Sequence, residues 1–211
     1  METYRSLLEY GEATYEDRKS VFYGFASPVS TEEEALAFIK SIKSKYPDAR
    51  HHVYAYVLRE NHIARYSDDR EPQGTAGMPT LDVIRKQSLE NCVVVVVRYF
   101  GGILLGTGGL VKAYGTAAKE AVIASKIIEY ATYTFRHFDV TYNDYQKLLP
   151  LLSLPEVEVV STDFTDRVRF TVSLEETLDE EFALKVQNTV SGRALTKILE
   201  KKFCFRKIPE N

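Results

Sequence analysis

The chain has 211 residues, of which 45% are apolar and 27% charged, and its formal net charge is −3. That balance suits one or two ordinary globular domains, gives nucleic acid no global attraction and holds no apolar run long enough to span a membrane. Glu2, Arg5, Glu9, Glu12, Glu16 and Asp17 leave no signal-peptide core at the start. Cys92 and Cys204 are far apart and supply neither a disulfide framework nor metal spacing, so a reducing cytoplasm is the expected compartment.

In chain order, Lys19 to Val29 reads as a strand ending at Pro28. Ser30 and Glu33 have capping-box spacing ahead of a helix carrying Ala35, Phe38, Ile39 and Ile42, which Pro47 closes. His51 to Leu58 and His62 to Ser67 read as strands joined by a turn at Glu60-Asn61. His51 and His52 are neighbours in a strand and point to opposite faces, so they do not readily share a metal ion. Ser67 to Pro79 is a polar loop rich in glycine, proline and charge. Asp68, Asp69 and Glu71 within it have the chemistry to hold Mg²⁺ or to sit in a solvated turn. Leu81 to Gln87 reads as a short helix.

Cys92 to Val97 is an unbroken β-branched run, the pattern of a strand buried on both faces. Arg98, Tyr99 and Phe100 follow, then Gly101, Gly102, Gly106, Gly108 and Gly109 around Thr107. Apolar or small residues at Leu110, Tyr114, Ala117, Ala121, Ala124 and Ile128 mark a helix, and this reading puts Lys112 in its first turn. A strand, a glycine loop and a helix N-terminus can form an anion site, or the glycines can simply allow tight packing. Neither known phosphate fingerprint fits. Thr107 stands where a P-loop needs lysine, and Val111 where the dinucleotide motif needs its third glycine.

Beyond Ile128–Tyr133 the pattern becomes strand (131–142), helix (144–152), strand (157–163), strand (168–174), helix (178–190) and strand (197–207). This is a ferredoxin-like βαββαβ order. Thr177 and Glu180 have capping spacing for the second helix, and Gly192 ends it. The fold class expected is α+β in two domains, 1–130 and 131–211. Arg193, Lys197, Lys201, Lys202, Arg206 and Lys207 face only Glu200, which suits either a phosphate-facing strand or a solvated, edge-protecting face.

Two strings carry a resemblance. In Asp68-Asp69-Arg70-Glu71-Pro72-Gln73-Gly74-Thr75-Ala76-Gly77 and Val97-Arg98-Tyr99-Phe100-Gly101-Gly102-Ile103-Leu104-Leu105-Gly106-Thr107-Gly108-Gly109-Leu110 the chain resembles the Impact family, in its bacterial YigZ-like branch. The resemblance implies an N-terminal α/β sandwich similar to domain 2 of ribosomal protein S5. It also implies a C-terminal domain similar to the last domain of the translocating elongation factor. Eukaryotic members of that family act in translational control through protein contacts.

Two functions follow as expectations. The first is a non-enzymatic, translation-linked binding protein that contacts RNA, the ribosome or a protein partner where the Asp68–Gly77 loop, with Asp68, Asp69, Glu71, Gln73, Gly74 and Thr75, meets the Arg98–Lys112 stretch. A phosphate or acidic group would lie on the amides of Gly101–Gly109 between Arg98 and Lys112, with Tyr99 and Tyr114 available for stacking. The second is a phosphate-handling enzyme with Mg²⁺ on Asp68, Asp69 or Glu71. No nucleophile stands beside a base, which favours binding. No cofactor is implied, and oligomeric state is not legible. A third possibility is that the acidic loop and the arginines satisfy one another, with Arg65, Arg70 or Arg98 paired to Asp68, Asp69 or Glu71.

Overall fold

The computed structural model describes residues 2–207, with the side chain of Lys207 excepted. It separates into two compact units, one of residues 4–129 with 206–207 and one of residues 130–205 with 2–3. In the first unit β1 (Tyr4–Leu7), β2 (Gly11–Asp17) and β3 (Ser20–Pro28) lead to α1 (Glu32–Lys45). β4 (His51–Leu58) and β5 (Ile63–Ser67) precede α2 (Gly77–Lys86), β6 (Cys92–Tyr99) and α3 (Gly106–Ala124).

An antiparallel sheet of order β2-β3-β6-β4-β5 places β6 at its centre. Alternate residues of β6 serve two cores. Val93, Val95 and Val97 pack under α1 with Phe25, Ile39 and Ile42. Cys92, Val94 and Val96 pack under α2 and α3 with Phe22, Leu81, Ile84 and Tyr114. Helices on both faces explain why this strand has no polar alternation.

Helix starts account for most differences from the sequence reading. The cap of α1 is Thr31, one residue later than expected; its hydroxyl accepts from the Glu34 amide, while the Glu34 carboxylate accepts from the Ser30 amide. The helix expected from residue 178 starts at Glu176 with no side-chain cap, because Thr177 donates its hydroxyl to Glu175 instead. β1 and β2 were not expected at all. Their residues mix charge with half-buried positions, and Leu7 alone of β1 joins the core cluster.

The second unit continues with β7 (Ile127–Val140), α4 (Tyr142–Leu152), β8 (Glu158–Phe164), β9 (Val168–Glu175), α5 (Glu176–Thr189) and β10 (Leu195–Lys207). β9 pairs antiparallel with both β7 and β8, and β10 pairs with β7. This is the βαββαβ order, so the two-domain α+β class holds. Phe138, Phe170, Val172, Leu174, Phe182 and Val186 form the core beneath the helices. A buried Arg136 clamps Asp179 through both of its oxygens, at 2.8 and 2.6 Å.

Asp144 gives this unit a pH dependence. Arg193 donates to it from Nε and Nη2, and Lys147 and the Thr141 hydroxyl add two more bonds. The Arg193 bonds, followed by Lys147 and Thr141, hold the Asp144 carboxyl far below the usual carboxylate range. The folded unit therefore binds fewer protons here than the unfolded chain. Its stabilisation is present above the unfolded value of about 3.9 and is lost as pH falls below it. Acid titration of chemical stability is expected to show this loss in the native chain and not in Asp144→Asn.

Candidate functional site

The loop between β5 and α2 is organised by Asp68. One carboxylate oxygen accepts from the Ala76 and Gly77 amides at 3.0 and 2.8 Å, and the other accepts from Gly74 at 2.9 Å. α2 has Ala76 at its cap position with no side-chain bond of its own, so Asp68 supplies the cap from eight residues upstream. The helix thus starts at Gly77, earlier than the expected Leu81, and Pro79 is tolerated in its first turn. Asp69 and Arg70 turn the chain through two left-handed residues, φ 38° and 71°. The Asp69 carboxylate accepts from the His52 amide at 2.7 Å, and its carbonyl meets His51 Nδ1 at 2.8 Å. His52 Nε2 meets the Tyr46 carbonyl, so the two imidazoles hydrogen-bond to different carbonyls.

The turn delivers Glu71 inward. One of its oxygens accepts from Arg98 Nη1 at 2.6 Å and from the Tyr114 hydroxyl at 2.7 Å, with His51 Nε2 at 3.9 Å. Glu71, Arg98 and Tyr114 are all buried. Burial and then the adjacent carboxylate hold the Tyr114 phenol above the ordinary range, so it remains a donor. The rings of Phe22 and Phe100 flank the Arg98 guanidinium, at 5.5 and 5.6 Å from their centroids. Arg98 Nε is buried without a partner. Of the acidic loop, Glu71 alone pairs with Arg98, through one bond, while Asp68 and Asp69 are taken by backbone amides. Gln73 and Gly74 are exposed, whereas Thr75 is buried and donates to the Pro72 carbonyl.

Tyr99 donates to Asp48 at 2.7 Å, and this bond pushes its phenol up to about 12. Tyr99 and the buried Tyr114 are thus committed to the protein. The exposed aromatic at this end is Phe100.

α3 starts at Gly106, so Gly106, Thr107, Gly108 and Gly109 form its first turn and Lys112 lies in the second. Lys112 thus lies one turn later than expected, beyond the turn where the helix dipole disfavours a cation. Leu105 occupies the cap position and offers no side-chain bond. Close packing explains Gly101, where a Cβ would collide with the Lys19 backbone. It does not explain Gly108, which is exposed, has no positive φ and has open space where a Cβ would lie. Such a glycine in a helix costs about 1 kcal/mol relative to alanine. Gly102 and Gly106 likewise meet open space, at φ 83° and 72°.

Topology adds two residues that the sequence did not single out. Because β3 pairs with β6, the β2–β3 turn lies against the glycine stretch. Arg18 Nη1 donates to the Leu104 carbonyl at 3.3 Å, and the Ser20 hydroxyl accepts from the Gly101 amide. The pairing of a strand starting at Ser20 with one ending at Tyr99 was the signal that would have found them.

In the C-terminal strand, Lys197 and Lys202 are exposed and Arg206 is half-buried. Lys201 pairs with Glu176 at 2.6 Å, and Arg193 is held by Asp144. The Lys207 side chain lies outside the described residues. Among the described residues no three His, Cys, Asp or Glu converge to hold a metal ion, and no helix is long and apolar enough to cross a membrane.

A mixed sheet-and-helix unit carrying the two motif strings, followed by a βαββαβ unit, defines the class. The Impact N-terminal domain matches residues 18–122, and a domain of unknown function (DUF1949) matches 138–193. The chain belongs to the Impact family. It is 35% identical to the IMPACT family member YvyE of Bacillus subtilis, covering 92% of this chain and 90% of that protein. It is 34% identical to YigZ of Escherichia coli, over 84% and 88% of the two chains. A crystal structure of a hypothetical protein has a TM-score of 0.59 at 32% identity, over 95% of this chain and 98% of the other.

Proposed function

We propose that this chain is a non-enzymatic, cytoplasmic binding protein linked to translation, which holds an anionic group of its partner against the exposed start of α3. The observation that carries this reading is the uncapped first turn of α3, where Gly108 is exposed with no steric or conformational need for glycine. Free amides and the helix dipole favour an anion there. Arg18, Lys19 and Lys112 add positive charge nearby, whereas Arg98 acts behind the surface as the buried partner of Glu71. The translation link comes from the family resemblance. A Mg²⁺-dependent phosphate-handling enzyme is disfavoured because Asp68 and Glu71 are bonded to protein donors that the metal would have to displace.

The test is affinity recovery from a cytoplasmic extract, with and without RNase. The native chain is compared with Arg18→Ala/Lys112→Ala and with Lys201→Ala/Lys202→Ala. Ribosomal or translation-factor material retained by the native chain and the second variant, and lost from the first, supports the proposal. Loss from the second variant alone moves the site to β10.

A further inference from the structure

We infer that the segment meeting this surface is an acidic peptide carrying aliphatic side chains, presented by a protein partner. The inference rests on the reading of the α3 start as a binding surface and names what binds there.

The surface is not purely electrostatic. Leu104 is 80% exposed, and Ile103 and Val111 are 43% and 42% exposed. Thr107, Gly108, Val111 and Lys112 share the outward side of α3. Exposed aliphatic residues in one place signal a contact surface rather than random exposure. Arg18 ties the two features together, since its side chain bonds the Leu104 carbonyl and leaves its charge beside the apolar tip.

Charge complementarity selects the occupant. Arg18, Lys19 and Lys112 are exposed and form no ion pair among the described residues, although the whole chain is net negative. Glu12, Glu16 and Asp17 on β2 and Glu120 on α3 are the carboxylates on the same elements, and Glu12 is engaged by Tyr10 and Lys45. A carboxylate from outside can take the place that Leu105 leaves empty at the helix cap, with the cations on either side. Isoleucine, leucine and valine offer nothing to a phosphodiester backbone and little to a base edge. They suit aliphatic side chains of a peptide, as in helix-in-groove or extended-peptide docking. Phe100 is the aromatic exposed here, and the Arg98 guanidinium lies against its ring.

The experiment selects dodecapeptides from a random phage library on the full chain, then measures anisotropy of the synthesised peptides and of a labelled oligouridylate. The variants are Leu104→Ser and Lys112→Glu, both at exposed positions. Selected peptides are expected to carry acidic and aliphatic residues, and to lose about tenfold or more in affinity with each variant. Peptides without acidic residues, or with affinity unchanged by Leu104→Ser, overturn the inference. If oligouridylate alone binds, and weakens with Lys112→Glu but not with Leu104→Ser, the peptide inference falls and the anion surface stands. If no probe responds to Lys112→Glu, both fall.

Discussion

Replacing Val95 with aspartate is expected to abolish cooperative folding of the first unit. Val95 is fully buried at the centre of β6, between Phe25 on β3 and Tyr54 on β4, beneath α1. None of its neighbours in that core carries a charge to pair with. An unpaired buried carboxylate must either stay ionised in apolar surroundings or remain protonated, and both destabilise the unit. The loss is expected to be on the order of 4–5 kcal/mol, most of a typical domain stability of about 5–15 kcal/mol. Near-ultraviolet circular dichroism and thermal melting check it. A native-like melt at the unchanged temperature would show that β6 is not the central strand.

The second large effect concerns Arg98. Arg98→Ala leaves the Glu71 carboxylate buried with only the Tyr114 hydroxyl donating to it. Breaking one side of a buried pair costs about 3–5 kcal/mol, most of it from the charge left behind. Removing the whole group by Arg98→Met, Glu71→Leu and Tyr114→Phe together is expected to cost much less, because no buried polar atom loses its partner. Urea midpoints, compared at constant slope, separate the two outcomes. A single variant as stable as the native chain would mean that the pair is not buried in solution.

The strongest local signals in the sequence survive into the structure. Cys92 to Val97 read as a two-sided buried strand because six consecutive apolar residues leave no polar face, and β6 has helices on both sides. The βαββαβ order was legible because each element carries its own periodicity. What failed were features settled by distant residues. α2 and α3 start inside stretches of glycine and proline that read locally as loop. The cap of α2 comes from Asp68, and α3 is held by buried Leu110, Ala113, Tyr114 and Ala117 packed on the sheet. β2 was missed because its polar side faces solvent in a strand at the sheet edge.

The site divides in the same way. Arg98 with Glu71 was one of several charge pairs open to the sequence, since Arg65, Arg70, Asp68 and Asp69 offered the same chemistry. Their closure over Tyr114 and His51 was not legible, because four elements meet there and none announces the others. Tyr99 and Tyr114 looked available for stacking only because burial and the Asp48 bond leave no trace in local sequence. Arg18 and Lys19 reach the glycine stretch solely through the pairing of β3 with β6.

The central claim is that the first turn of α3 is kept open for an anion. Gly108→Asp tests it most directly by placing a tethered carboxylate at the third position of the helix. Relief of the glycine cost and a favourable dipole interaction should raise chemical stability by about 0.5–1.5 kcal/mol. The same carboxylate should occupy the amides and repel an anionic partner, so recovery of partner from extract should fall to background. The account predicts these opposite signs in one variant. A protein that is more stable and retains its partner undiminished would contradict it.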